Sequence, residues 1–269
     1  MIKSCGVDIL GMHIPTLAPE ILFYILNIPV TNTIVNAWIA IIIFLIIGIL
    51  IKRRLSLRPG KLQNFFEFII ETLLEYFDQV TGDRKNTLRF LPLVGSVFFF
   101  ILLSNWLGLI PGTGSVKLGH VFILRPANTD LNLTVAMALT AVVASHVYGL
   151  MTVGILTHLN KFIQIGTLIK SLRHGPIAIF TAAVEMVVGV IEIISEAAKV
   201  LSLSFRLFGN IFAGEVLMTV MTSLVALFVP TPFMMLEVLV GLIQASVFAM
   251  LTLVYLTMAT AQPHGEESH

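Results

Sequence analysis

One uncharged run, from Thr33 to Ile51, limits what this chain can fold into. The run reads TIVNAWIAIIIFLIIGILI and contains no Asp, Glu, Lys or Arg. At about 1.5 Å per residue, a helix of this length crosses a hydrocarbon core of about 30 Å. Of all 269 residues, 57% are hydrophobic and 12% are charged, a balance that soluble domains rarely show. The sequence therefore predicts an integral membrane protein.

Proline, glycine and charge positions divide the chain into the segments of one domain. We predict an all-α polytopic membrane protein with about five membrane-embedded helices, the last two long and strongly inclined, and an amphipathic helix at the cytoplasmic surface. The predicted segments are an outer lead-in at 1–30, spans at 33–51, 88–110 and 131–153, the amphipathic helix at 61–81, and a hairpin of long helices at 176–229 and 233–261. Pro230, Thr231 and Pro232 are expected to form the turn of that hairpin.

The first helix of the hairpin is too long for an upright crossing. Beyond Pro176 the chain runs to Val229 without another proline. One helix of about 50 residues would measure roughly 75 Å, more than twice the hydrocarbon thickness. No polar turn divides it, so we expect a steeply inclined helix or a local break near Gly209.

The amphipathic segment 61–81 repeats apolar residues every three or four positions and places Glu67, Glu71 and Glu75 on another face. This pattern predicts a helix along the cytoplasmic surface. We expect the row of carboxylates to be a solvated face, and docking to a soluble partner is the alternative.

Lysines and arginines lie mostly on one predicted side of the membrane. Three of the sixteen lie outside, at 3, 117 and 125, and Lys199 and Arg206 are intramembrane. The remaining eleven are on the predicted cytoplasmic side, at positions 52, 53, 54, 58, 61, 84, 85, 89, 161, 170 and 173. The positive-inside rule then predicts an outer amino terminus and a cytoplasmic carboxyl terminus.

A polar stripe runs along the long helix of the hairpin. At about 100° per residue, six side chains fall within roughly 40° of one line: Glu192, Ser195, Lys199, Ser202, Arg206 and Asn210. A charge at the bilayer centre costs between about 2.5 and 17 kcal/mol, so such groups face a water-filled path or a partner. Glu237, Gln244 and Tyr255 share one face of the returning helix. The two stripes predict a polar seam.

Enzyme and nucleic-acid signatures are missing from the sequence. It contains no glycine-rich phosphate loop, nucleophile elbow, HExxH or CxxC motif. Its basic residues are dispersed, which does not suit nucleic-acid binding. We expect no catalytic site of its own, no cofactor and no bound metal.

Three isolated polar residues have simple structural interpretations. Asn105 is expected to be a buried hydrogen-bonding group. Asp130, or Thr129, can cap the span at 131–153, although a carboxylate at an outer mouth could also help to admit cations. His146 is expected to be a satisfied polar residue rather than a metal ligand, since no second histidine shares its helical face.

Movement of an ion is the chemistry that these intramembrane groups suit. The guanidinium of Arg206 stays protonated and serves as a fixed charge, whereas carboxylates at membrane depth can exchange protons: Glu185, Glu192, Glu196, Glu215 and Glu237. At about 4 Å and an effective dielectric near 20, it attracts a carboxylate by about 4 kcal/mol. Glu196 is too far along the same helix to reach it. A carboxylate from another subunit fits better than an internal ion pair.

The motif SLSFRLFGNIFAGE, followed by LIQASVFAMLTLVYLTMA, resembles subunit a of the F-type ATP synthase. The resemblance extends to RPGKLQNFFEFI, NWLGLIPG and PANTDLNLTVAMAL in order, and covers about Thr33 to Ala261. It implies a stator subunit in the bacterial inner membrane. Its two inclined helices would contact a ring of c subunits, beside b-type subunits of a peripheral stalk. An arginine would separate two offset proton half-channels.

Carried over by position, the resemblance implies that Arg206 is the essential arginine facing the ring carboxylate. It places four residues at the outer half-channel and around the arginine, Asn210, Glu215, Glu237 and Gln244, and four on the inner side, Glu192, Ser195, Lys199 and Ser202. The family commonly has one acid and one histidine at the positions of Glu215 and Glu237, whereas this chain has two acids. Val200 stands where a proline often follows the lysine.

Two other functions use the same residues. A stand-alone cation channel or secondary transporter would need the intramembrane acids but no rotor. A membrane scaffold would use the polar stripe only to join helices. The variant Arg206→Ala separates these cases, because a stator loses coupled proton flow and a scaffold loses assembly. The transported ion is expected to be the proton, with sodium as the alternative.

Overall fold

The computed structural model describes residues 8–9, 12–13, 18–25, 28–53, 55, 60–110, 117–118, 121–122, 125–155, 176–224 and 230–261. Six α-helices lie within these ranges: α1 (Asn32–Arg53), α2 (Lys61–Thr81), α3 (Arg84–Leu109), α4 (Leu131–Val153), α5 (Pro176–Leu224) and α6 (Pro230–Thr260). A 3₁₀ turn at Ala127–Thr129 precedes α4. This architecture confirms the predicted all-α polytopic fold class.

Short antiparallel strand pairs lie outside the helices. They are β1 (Asp8–Ile9) with β2 (Met12–His13), β3 (Ile21–Ile25) with β4 (Ile28–Thr31), and β5 (Lys117–Leu118) with β6 (Val121–Phe122). The first two pairs belong to the predicted lead-in at 1–30. That segment is therefore extended where it is described, and β4 leads directly into α1.

Four of the described helices, α1, α3, α4 and α6, are long and apolar enough to cross a membrane. Helix α5 has 49 residues, which at about 1.5 Å per residue make it roughly 74 Å long. It continues through Gly209 without the local break that we considered. Its inclination stays a prediction.

Most helix ends lie close to the predicted positions. Helix α4 spans the predicted 131–153, because the Asp130 side chain caps its first turn and Gly154, at φ 92°, ends its last. Helix α3 begins before the predicted residue 88, since the Asp83 side chain accepts a hydrogen bond from the backbone N–H of Lys85. The prediction that Pro230, Thr231 and Pro232 form the turn of the hairpin is wrong.

Those three residues form the first turn of α6 instead of the turn between the long helices. Proline is compatible with this position because the first N–H groups of a helix have no partner within it. The connection that would contain the turn, 225–229, lies outside the described residues.

The core is a four-helix packing of α3, α4, α5 and α6. Small residues of α4 and α6, including Ala138, Ala141, Ala245 and Ala249, are buried at these contacts and let the backbones approach closely. Larger apolar residues such as Phe248 fill the remaining space. Helix α2 adds Phe77 to this core, while its Glu67, Glu71 and Glu75 are exposed, as predicted.

Candidate functional site

Around Arg206, the predicted polar stripe of α5 lies on a face that the rest of the described chain leaves uncovered. Leu203, Leu207 and Ile211 point into the core. The exposed residues between and beyond them are Ser202, Phe205, Arg206, Gly209, Asn210 and Ala213. Arg206 forms no hydrogen bond or ion pair with any other residue that the structure describes. Its charge is therefore available to a group outside this chain.

One turn beyond Arg206, the two predicted stripes meet. The side-chain amide of Asn210 donates a hydrogen bond of 2.7 Å to Oε1 of Gln244 on α6. Gln244 is buried, and its Nε2 finds no hydrogen-bond partner within the described part of the chain. The predicted polar seam between the long helices is therefore present at this level.

A second polar group joins α4, α5 and α6 toward the start of α5. Lys199 Nζ lies 2.6 Å from Glu196 Oε1 and 5.3 Å from the centre of the Tyr255 ring. His146 Nε2 of α4 lies 3.4 Å from the other oxygen of Glu196. The carboxylate of Glu196 thus neutralises Lys199, and His146 has the polar partner that the sequence predicted.

The remaining residues of the predicted inner path differ in exposure. Ser195 and Ser202 are exposed, whereas Glu192 is half-buried. Neither serine is joined to the group around Glu196 by a hydrogen bond in the described structure. Within the described structure, the two serines therefore share a helical face with Lys199 without joining its hydrogen-bonded group.

Glu215 forms a buried ion pair with Arg125, which lies just before the 3₁₀ turn. Arg125 Nε lies 3.0 and 3.1 Å from the two oxygens of Glu215, and its Nη2 lies 2.9 Å from Oε2. The side chains are 7% and 18% exposed, respectively. Both carboxylate oxygens of Glu215 are thus engaged by one guanidinium.

Glu237 of α6 is buried beside Gly214, the residue that precedes Glu215 in α5. Its carboxylate packs against Gly214, so closely that a Cβ atom at position 214 would overlap with it. A glycine at this point lets the two helices enclose the acid. The structure therefore brings Glu215 and Glu237 to adjacent positions and gives them different surroundings.

A family model described as ATP synthase A chain matches residues 34–257, and thus most of the chain. The chain belongs to the ATP synthase A chain family. Together with the apolar helices, this membership assigns it to the membrane part of the F-type ATP synthase, as a multi-pass protein involved in proton transport and ATP synthesis.

Individual members of the family support this assignment. The ATP synthase subunit a of Moorella thermoacetica is 32% identical over 238 residues, which cover 88% of this chain and 94% of that protein. The ATP synthase subunit a of Syntrophobacter fumaroxidans is 33% identical over 261 residues, covering 95% of this chain and 94% of that protein.

Hydrogen bonds of Asn105 and Asp130 join the other helices around the site. Asn105 of α3 donates to the carbonyl of Gly241 at 3.2 Å and accepts a 2.7 Å hydrogen bond from Asn128. It is buried, which confirms the predicted role. Asp130 caps α4 as predicted and also accepts a hydrogen bond from the hydroxyl of Thr33.

Sequence reasoning missed two members of the site. Arg125 appeared only as an outer basic residue, because its partner Glu215 is 90 positions away. Glu196 was considered as a proton-exchanging acid and as a partner of Arg206, although Lys199 follows it by three positions, a spacing that places two side chains on one helical face. That spacing could have identified the pair.

Proposed function

We propose that this chain is the proton-translocating stator subunit of a rotary F-type ATP synthase. In this proposal Arg206 faces a carboxylate on a ring of c subunits and separates two half-channels. The observation that carries it is the exposed guanidinium of Arg206, which no acid in the described ranges neutralises. A fixed charge at membrane depth requires a compensating partner.

The outer half-channel of the proposal contains Asn210, Glu215, Glu237 and Gln244. A proton arriving from outside passes this region and neutralises a ring carboxylate. The neutral carboxyl group then moves away from Arg206 as the ring turns. The burial of Glu237 between α5 and α6 and the Asn210–Gln244 hydrogen bond support the placement of a polar path there.

The inner half-channel contains Glu192, Ser195, Lys199 and Ser202. After almost a full turn, the ring carboxylate meets Arg206 again and loses its proton toward Glu192. At about 4 Å and a dielectric near 20, the attraction of about 4 kcal/mol is large enough to drive this release. The same charge prevents direct proton leakage between the half-channels.

The proposed partners and location follow from this role. The chain would lie in the bilayer of a bacterial inner membrane, with its amino terminus outside and its carboxyl terminus in the cytoplasm. It would contact the c-subunit ring through the exposed face of α5 and b-type peripheral stalk subunits elsewhere. The chain binds no nucleotide in this proposal, since ATP forms in a separate soluble sector.

Reconstitution separates the stator from a stand-alone channel or transporter. The purified chain is placed in liposomes alone, and in parallel with its membrane-sector neighbours, and proton uptake is followed with a pH-sensitive dye under an imposed potential. A stator conducts protons only in the complex. Conduction by the chain alone, abolished by Glu237→Gln, would overturn the proposal in favour of a channel.

A further inference from the structure

We infer that Arg125 is a positioning residue that holds Glu215 as a fixed anion, so that of these two acids Glu237, and not Glu215, exchanges protons on the outer side. This inference rests on the proposed function and deepens it. It concerns a feature in which the chain departs from the common family pattern, the presence of acids at both positions.

The contacts of Glu215 leave it poorly suited to carry a proton. A carboxylate held by a permanent cation loses that attraction when it takes up a proton, so the pair favours the ionised form. Both oxygens of Glu215 accept hydrogen bonds from the Arg125 guanidinium, at 2.9 to 3.1 Å. Forked pairs of this kind are the strongest class of hydrogen bond in proteins, and arginine does not give up its own proton.

Arg125 is itself held in place by the segments around it. Its backbone carbonyl accepts a 2.8 Å hydrogen bond from the Asn36 side chain of α1. Its Nη1 donates to the backbone carbonyl of Ala18, at 3.4 Å, and its side chain is almost fully buried. The guanidinium is therefore a rigid part of the outer structure rather than a mobile surface charge.

Glu237 has the opposite environment. It is 7% exposed, and no hydrogen bond or ion pair links it to another residue in the described part of the structure. Within the described part of the structure, no cation therefore holds Glu237 in its ionised form. Among the described residues, the charges that act on Glu215 are those of Arg125 and Glu20. Arg125 is already bound to Glu215.

Gly214 connects the two environments. The Glu237 carboxylate packs against this residue, which directly precedes Glu215 in α5. Fixing Glu215 on Arg125 therefore keeps a constant charge one residue away from the contact with the exchanging acid. The geometry assigns one exchangeable proton, and not two, to this pair of acids.

Variants in which glutamine replaces the charged residues, singly and together, test this inference in the complete, reconstituted ATP synthase. ATP-driven proton pumping is measured for Arg125→Gln, Glu215→Gln, Glu237→Gln and the double variant Arg125→Gln/Glu215→Gln. Either single change breaks the ion pair and leaves one of its two charges behind at a largely buried position, so pumping falls. The double variant removes both charges and should recover about tenfold relative to Arg125→Gln.

Glu237→Gln should remain inactive, because Glu215 stays bound to Arg125 and does not replace it, and Arg125→Lys should retain more pumping than Arg125→Gln. Failure of the double variant to exceed Glu215→Gln would show that Glu215 itself carries the proton. The inference would then be wrong, while the proposed function would stand.

The outer-pH dependence of proton uptake supplies a readout that a merely structural role would not change. Glu237→His should shift the pH profile toward neutral pH, since imidazole titrates near 6.5. The double variant should keep the wild-type profile. A shifted profile in the double variant would overturn the inference. Full pumping by both Glu237→Gln and the double variant would overturn the proposed outer half-channel as well.

Discussion

The side chains of Asn210 and Gln244 are joined by a hydrogen bond of 2.7 Å that links α5 to α6 one turn beyond Arg206. Within the described residues, this bond fixes the helix that carries the arginine against its neighbour at the level of the exposed face. The position of Arg206 relative to any partner therefore depends on it.

Removing this bond should loosen the helix pair. We expect Asn210→Leu to lower the stability of the purified chain in detergent by about 0.6 to 2 kcal/mol, the range found for interhelical hydrogen bonds in membranes. Thermal unfolding measures the change. Ser246→Ala is the control, because the Ser246 hydroxyl bonds only to the carbonyl of Leu242 on its own helix. Equal stability of the two variants would contradict the prediction.

Gly214→Ala should disturb the enclosure of Glu237, since the added Cβ atom would overlap with the carboxylate. We expect reduced thermal stability and reduced proton pumping by the complex. Gly48→Ala on α1 is the matched control, because a Cβ atom there meets nothing within 4 Å. Alanine is favoured over glycine in a helix by about 1 kcal/mol, so the control should be neutral or stabilising. A harmless Gly214→Ala would contradict the observed packing.

Asn105→Ala should leave the side-chain amide of Asn128 without its buried partner and remove the hydrogen bond to the Gly241 carbonyl. Each unsatisfied buried group costs about 1 to 3 kcal/mol. We predict a clear loss of stability in thermal unfolding. Asn64→Ala, on the exposed side of α2, should have little effect. The prediction is wrong if the two variants unfold at the same temperature.

The end of α2 should respond to acid. The hydroxyl of Thr87 and the guanidinium of Arg84, at 2.6 Å, lower the pKa of Asp78 below its ordinary value of 3.8. The stabilising contribution of Asp78 is therefore fully present above that ordinary value and is lost as pH falls through the lowered pKa. The difference in melting temperature between the wild type and Asp78→Asn should therefore shrink as pH falls. A constant difference would contradict it.

The sequence predicted the helices well because the membrane helices read as long apolar runs and α2 as an amphipathic repeat. Asp130 and Gly154, for example, mark the two ends of α4. The exposed face of α5 followed from helical periodicity, since the spacing of Ser202, Arg206 and Asn210 is local information.

Contacts between distant segments could not be read in the same way. The Arg125–Glu215 pair joins positions 90 residues apart, and no periodicity relates them. The packing of Glu237 on Gly214 depends on how α5 and α6 lie side by side. Pro230 was misjudged because proline is compatible both with a turn and with the first turn of a helix.

ATP-driven proton pumping by complexes that carry Arg206 variants tests the central claim most directly. With assembly intact, Arg206→Ala should lower coupled pumping by about a thousandfold, the equivalent of about 4 kcal/mol. Arg206→Lys should also fail, because an ammonium does not reproduce the forked guanidinium. Arg53→Ala, at the exposed end of α1, is the control. Wild-type pumping by Arg206→Ala would contradict the account.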